Sequence, residues 1–292
     1  MSQKPNVTSP REIVMLFDRY GLHPLRQYGQ NFLIDSNVVR KIVDAADISA
    51  DDTIIEVGPG AGALTGAIAG VGADLFVIEI DSGLVNLLDD FYGHEDNVRI
   101  IEKDVLKINW TDFFKLFNIP ATVKLISNLP YNISGPFMYN LFRASFPFSN
   151  AILMFQKEVA DRLLAKPGEK NYGSLSVICS YYAEGRYLFD ISKNVFWPKP
   201  KVSSAVINLH PKIHTVNAGE EKLFWQIVQA AFQQRRKTIL NSLKENMPLS
   251  KEQIHLLLSE AAIDPGIRPE QLSVEQFALL SRITYNVLSK LS

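Results

Sequence analysis

Asn128-Leu129-Pro130-Tyr131 closes an apolar run, Val123 to Ile126, that reads as a buried strand. An amide, a proline and an aromatic at a strand end suit one task well: holding a flat base that carries an amino group. The asparagine amide oxygen can accept a hydrogen bond from that amine. Pro130 removes a backbone donor and stiffens the turn. Tyr131 offers a face for stacking. The same residues also describe an ordinary Asn-x-Pro turn, so the rest of the chain must decide.

A second cluster points the same way. Glu56-Val57-Gly58-Pro59-Gly60-Ala61-Gly62 follows an apolar strand candidate, and the next such strand ends in Val77-Ile78-Glu79-Ile80-Asp81. Glycines at a strand end let the backbone approach a ligand closely and turn into a helix. An acid about 20 residues further on suits a pair of ribose hydroxyls. The plainer reading is a tight strand–helix turn with Glu79 as a solvated strand-end charge. The spacing is G-x-G-x-G, one residue short of the dinucleotide fingerprint, and no GxxxxGK[ST] run is present. It resembles the S-adenosylmethionine loop of Rossmann-like methyltransferases. Asp104, after the third strand candidate, can accept from an adenine amine or cap the segment that follows it.

These residues need a frame. Apolar strand candidates run over Thr53–Val57, Leu75–Ile80, Val98–Glu102, Val123–Ser127 and Ala151–Phe155, with helical stretches between them. That alternation predicts an α/β, doubly wound and mainly parallel sheet. Upstream, Ser9-Pro10-Arg11-Glu12 reads as a helix start, with the helix running to Tyr20 and stopping at Gly21. Ser36 reads as the cap of a second helix through Ala46. Gly173–Ala183 reads as a further helix, and Tyr187–Ile191 and Ser204–Leu209 as two last strands closing one edge. After Pro211 only helical periodicity remains: Leu223–Phe232, Arg236–Asn246, Lys251–Ala261 and Val274–Ser289. The chain therefore divides into residues 1–212, carrying the catalytic machinery, and a small all-helical domain, 213–292, with Lys212–Gly219 as linker.

Composition sets limits. The net charge of the 292 residues is −1. Residues 213–292 hold nine basic and eight acidic residues, and residues 1–212 hold 21 and 23. A nucleic-acid partner must be gripped by local patches rather than by bulk charge. Cys179 is the single cysteine, so no intrachain disulfide forms, which fits a reducing cytoplasm. The five histidines are scattered, with no HExxH or CxxC pattern, so no metal site is expected. No run approaches a membrane span.

Five motifs in order now support a family. They are Gln27-Tyr28-Gly29-Gln30-Asn31-Phe32-Leu33, the Glu56–Gly62 loop, the Asn-Leu-Pro-Tyr turn, Phe196-Trp197-Pro198-Lys199-Pro200-Lys201-Val202-Ser203-Ser204, and Ala231-Phe232-Gln233-Gln234-Arg235-Arg236-Lys237-Thr238-Ile239-Leu240-Asn241. Together they resemble the ribosomal RNA adenine dimethyltransferase family, most closely its small-subunit branch, over roughly residues 20 to 285. The resemblance implies that Asn31, Leu33, Gly58, Gly60, Glu79, Asp104 and Asn128 line an S-adenosylmethionine pocket. It also implies that Asn128 and the Leu129 carbonyl hold the adenine amine, and that Tyr131 and Phe196 sandwich the extruded base. Phe196 by itself is equally at home in a core. The stretch Leu25-Arg26-Gln27-Tyr28 is less basic than the family's usual one.

The implied activity is dimethylation of two adjacent adenosines near the 3′ end of small-subunit (16S) rRNA, with a role in subunit biogenesis. The chain would act as a monomer in the cytoplasm. RNA contacts are expected from Arg26, Lys199, Lys201 and the helix-borne Arg235-Arg236-Lys237, helped by Lys244. The last cluster also fits a solvated helix face. Rival readings are a large-subunit (23S) resistance dimethyltransferase, an assembly or transcription factor on the same scaffold, and a nicotinamide oxidoreductase.

Overall fold

The computed structural model describes residues 6–289, apart from residues 145, 213–216 and 235 and the side chain of Arg26. In chain order the first elements are α1 (Pro10–Tyr20), β1 (Phe32–Leu33), α2 (Ser36–Ala46), β2 (Thr53–Val57), α3 (Ala63–Ala69), β3 (Asp74–Glu79) and α4 (Ser82–Tyr92). There follow β4 (Val98–Glu102), α5 (Trp110–Leu116), β5 (Val123–Asn128), α6 (Ser134–Arg143), β6 (Phe148–Gln156), α7 (Lys157–Leu163) and α8 (Ser174–Tyr182). The chain continues through β7 (Ala183–Ile191), β8 (Phe196–Trp197), β9 (Ser204–Pro211), α9 (Ala218–Phe232), α10 (Ile239–Asn246), α11 (Lys251–Glu260) and α12 (Val274–Ser289).

Seven strands form one sheet in the order β4-β3-β2-β5-β6-β9-β7, while β1 and β8 make a separate two-stranded pair. Strands β2 to β6 pair in parallel, and β9 runs antiparallel to β6. Every residue of β2 is buried, as a strand covered by helices on both faces requires. The order reverses between β2 and β5: the chain moves outward to β3 and β4, then returns to the other side of β2. Such a reversal leaves a crevice at the carboxyl ends of the two central strands.

Local chemistry fixes the helix ends. Ser9 accepts from the Glu12 amide and Gly21 ends α1 at φ 62°. The cap of α2 is Asp35 and not Ser36, because its carboxylate accepts from both the Asn37 and Val38 amides. Phe17 on α1 packs edge-on against Phe32 and Trp197, at centroid distances of 4.8 and 5.4 Å. This anchors the β1–β8 pair to the core that includes Ile54, Leu88 and Ile126.

Two compact units emerge, and their borders differ from a single cut at residue 212. One holds the chain to Ala160 and Gly185–Pro211; the other holds Asp161–Glu184 and the chain from Lys212 onward. Helix α8 belongs with the C-terminal helices because Tyr181 stacks on Phe224 of α9 at 4.0 Å. Phe224, Ile227, Phe277 and Leu280 form the interior of that unit.

Candidate active site

A cleft opens at the strand reversal and is lined by the segments that leave β2, β3, β4 and β5 and by residues 28–33. Gly58 adopts φ +65°, and a Cβ there would lie 2.9 Å from Pro130 Cδ. Gly60 adopts φ +57°, and a Cβ there would meet the Phe32 ring at 2.8 Å. The glycine loop is therefore pressed between the Asn-Leu-Pro-Tyr turn and the strap of residues 25–33. A side chain at either glycine would collide with the turn or the strap.

The strap is braced at several points. Gln30 donates from Nε2 to Asp81 Oδ2 at 2.8 Å and accepts from the Leu25 amide at 2.8 Å. Asn132 Nδ2 donates to the Gln27 carbonyl at 2.9 Å. Phe32 and Leu33 pair with Trp197 and Phe196, and the Ile34 amide donates to the Val195 carbonyl at 2.8 Å. Asn31 donates from Nδ2 to the Gly29 carbonyl.

Two buried carboxylates face the cleft. Glu79 is 6% exposed and accepts at Oε1 from the amides of Ile80 and Asp81, at 2.8 and 3.0 Å. Burial outweighs these bonds and pushes its pKa up to about 7. Glu56 accepts from the Thr65 hydroxyl at 2.7 Å. Burial, with repulsion from Glu79 adding to it, raises its pKa to about 8. A cation or hydroxyl donors in the cleft would draw both groups toward the charged form. Asp104 lines the cleft and also caps the turn after β4, accepting from the Leu106 amide at 3.0 Å, with Lys107 3.5 Å from its other oxygen. The capping role expected of Asp104 is thus present, and its side chain also borders the cleft. Sequence reasoning passed over Glu56, Gln30 and Asn132; the legible signal was an acid at the fourth position of a strand buried throughout.

The base side is made by the turn after β5. Buried Ser127 donates to the Val57 carbonyl and locks β5 against β2 just before the turn. Asn128 Nδ2 donates to the Asn31 carbonyl at 3.3 Å. That bond fixes which way the amide points, so Oδ1, with no donor among the described residues, is left as an acceptor. The Leu129 carbonyl likewise receives no hydrogen bond from a described residue; Leu129 borders the cleft but is fully buried in the ligand-free protein. Pro130 accepts from the Ile133 amide and the Ser134 hydroxyl, both at 3.1 Å, which turns the chain into α6. Tyr131 lines the cleft, half-buried, with its hydroxyl 2.6 Å from Ser204 Oγ; burial raises the phenol pKa.

Phe196 stands apart from this group. It is 3% exposed, lies in the core and does not line the cleft. It pairs with Leu33 across the β1–β8 ladder. Asn31, Leu33, Gly58, Gly60, Glu79, Asp104, Asn128, Leu129 and Tyr131 are brought together around one cleft.

The expected RNA contacts are scattered. Lys199 and Lys201 are exposed in the loop between β8 and β9. Arg235 and the Arg26 side chain lie outside the described residues. Arg236 and Lys237 sit between α9 and α10 and not on a helix, because Thr238 caps α10 by accepting from the Asn241 amide. Arg236 is exposed, whereas Lys237 pairs with Glu245, which also accepts from Gln234 at 2.7 Å. An exposed pair of this kind contributes little to stability, but it keeps Lys237 from presenting a lone charge.

Comparison with known proteins bears on this geometry. A family model described as ribosomal RNA adenine dimethylase matches residues 23–285. The ribosomal RNA small subunit methyltransferase A of Bacillus cytotoxicus is 42% identical over 282 residues, 94% of this chain and 96% of that protein. Its namesake in Geobacillus thermodenitrificans is 43% identical over 281 residues, again 94% and 96%. Among solved structures, a dimethyladenosine transferase from Plasmodium falciparum superposes with a TM-score of 0.69 at 24% identity, covering 85% of this chain and 95% of the other. The 23S rRNA methyltransferase ErmE gives 0.62 at 22% identity, covering 87% and 99%. These two likenesses speak to the fold.

Proposed function

The chain belongs to the ribosomal RNA adenine dimethylase family, and from that premise we propose that the cleft at the ends of β2, β3 and β5 carries the reaction. The enzyme dimethylates adenosine in small-subunit ribosomal RNA, with S-adenosylmethionine as methyl donor. In our reading the targets are two adjacent loop adenosines near the 3′ end of 16S rRNA, within the subunit or its precursor, and the modification accompanies subunit biogenesis. The chain acts as a monomer in the cytoplasm; among the described residues no helix is long and apolar enough to cross a membrane.

S-adenosylmethionine supplies a methyl group carried on a positively charged sulfur. Gly58 and Gly60 give it close backbone approach, Asn31 and Leu33 cover it from the strap, Glu79 accepts from the ribose hydroxyls and Asp104 from the adenine amine. The carboxylates of Glu56 and Glu79 complement its positive charge.

The target amine needs help, because its lone pair is delocalised into the purine ring. Asn128 Oδ1 and the Leu129 carbonyl are two acceptors that draw the amine hydrogens out of the conjugated plane and leave the lone pair aimed into the cleft. Positioning and electrostatics carry the step. As the amine takes the methyl, the carbon–sulfur bond would break to leave a neutral thioether, and the cationic amine would then pass a proton to solvent water with no strong base. Tyr131 stacks on the base, a contact of about 1–3 kcal/mol, and its ring favours the transient cation. Phe196 would have to leave its packing to meet a base, so stacking is assigned to Tyr131. Extruding the base costs a few kcal/mol, less in a loop. Arg26, Lys199, Lys201, Arg235, Arg236 and Lys237 are the proposed phosphate contacts.

The observation that supports this reading most strongly is the Asn128 amide, oriented by the Asn31 carbonyl with its oxygen left unclaimed. Asn128→Ala should slow transfer to subunits from an unmodified strain by about a hundredfold or more, with the fold intact. Wild-type-like turnover would discredit the assignment. Large-subunit RNA, offered in parallel, should accept no methyl.

A further inference from the structure

The hydroxyls of Tyr131 and Ser204 lie 2.6 Å apart, and nothing in the reaction as derived so far uses that contact. Ser204 is fully buried and opens β9, opposite Gln156 of β6. Tyr131 leaves β5, and β6 lies between β5 and β9 in the sheet. The tyrosine therefore reaches across a strand to a hydroxyl on a rigid element.

A tyrosine on a turn has two side-chain torsions to fix. Pinning the phenol oxygen fixes the axis of the ring. With the tyrosine as donor, the phenol hydrogen prefers the plane of its ring, through conjugation of the oxygen, so a single partner at the far end restricts the tilt as well. Ser204 is suited to be that partner. It sits at 0% exposure, and water does not compete for it. Its backbone is held in the β6–β9 ladder, and the preceding Ser203 carbonyl accepts from the Lys157 amide at 2.9 Å. The same strand start ends the loop that carries Lys199 and Lys201.

We infer that Ser204 is a positioning residue for methyl transfer, its hydroxyl setting the axis and tilt of the ring on which the target base stacks. The inference rests on the base-stacking role proposed for Tyr131. Ser204 itself does not line the cleft.

The test is a kinetic cycle on the full chain, with small subunits from an unmodified strain as methyl acceptor. Ser204→Ala should lower kcat by about three- to tenfold, the worth of one buried hydrogen bond. The KM for S-adenosylmethionine should stay within about twofold. Tyr131→Phe removes the other half of the contact and should cost the same. The double variant should be no slower than either single one, because both remove a single interaction. A Ser204→Ala enzyme as fast as wild type overturns the inference. So do losses that multiply in the double variant, or a rise in cofactor KM that matches the fall in kcat, since each marks a general structural role. If Ser204→Ala melts well below wild type, Ser204→Cys, close in size and poor as a partner, replaces it in the same cycle. A wild-type enzyme that methylates no small-subunit RNA sinks the proposed function and this inference together. A wild-type enzyme that does so while the losses multiply sinks the inference alone.

Discussion

The two halves of the cleft are built from different materials. The half proposed for the cofactor is mostly backbone: glycines at φ +65° and +57°, amides around Glu79, and carboxylates buried at strand ends. The half proposed for the base is made of side chains, Asn128 and Tyr131, each held at its far end by one bond from another segment. Backbone cradles tolerate no added atoms. Side-chain platforms tolerate substitution but lose aim. Damage in the first half should therefore appear in cofactor binding, and damage in the second in turnover.

The sharpest way to break that contrast is Gly60→Val. Left-handed strain and the clash with Phe32 should weaken cofactor binding at least about a hundredfold, read by calorimetry with S-adenosylhomocysteine. Undiminished binding would show that the strap yields easily.

Tyr131→Ala comes next. Turnover should fall about ten- to hundredfold, the worth of one stacked base, with cofactor affinity within about threefold. A larger loss of cofactor affinity than of turnover would place Tyr131 in the other half.

A pH titration probes the carboxylates. The pKa values of Glu56 and Glu79 rise from 4.5 to about 8 and about 7 on folding. Groups raised in this way favour the folded state below pH 4.5, and that advantage is lost as pH rises through 7 and 8. The ligand-free protein should thus lose stability over that interval. Cofactor affinity should move the other way, tightening by up to about tenfold per pH unit for each proton released. A flat affinity profile between pH 6 and 8.5 would contradict the role given to these two acids. Glu79→Gln should flatten part of it.

The smallest effect concerns the grip on RNA. Replacing Lys199, Lys201 and Arg236 by Ala should lower the salt dependence of RNA binding by about 0.7–0.9 per lost phosphate contact. Cofactor affinity should not change. An unchanged slope would remove these residues from the interface.

The same contrast explains what could be read from sequence. Strands Thr53–Val57 and Val98–Glu102 stand where the apolar runs put them; the first is buried throughout and has little latitude, while the second is a half-exposed edge strand. The glycine loop and Glu79 were legible for the same reason. The β1–β8 pair was not, since two residues carry no period; its ladder and the packing of Phe17 on Phe32 and Trp197 define it. Phe196 illustrates the limit of residue type, because an aromatic fits a base site and a core equally well. Asp35 and Ser36 are both good caps, and only backbone geometry chooses between them. Arg236 and Lys237 looked helical because the periodicity of α10 extends backward past Thr238. The brace from Ser204 to Tyr131 spans 73 residues and leaves no pattern in the chain.

The central claim is that Asn128 Oδ1 and the Leu129 carbonyl receive an adenine amine and aim its lone pair at the donor methyl. A crystal of the enzyme with sinefungin and adenosine tests it most directly. The account predicts that the amine nitrogen lies within hydrogen-bond distance of both oxygens, about 2.7–3.2 Å, with the group that replaces the methyl directed at it from the glycine-loop side and the Tyr131 ring flat against the purine. An analogue whose reactive end points away from this corner, or a corner closed by neighbouring side chains with no room for a base, would contradict it.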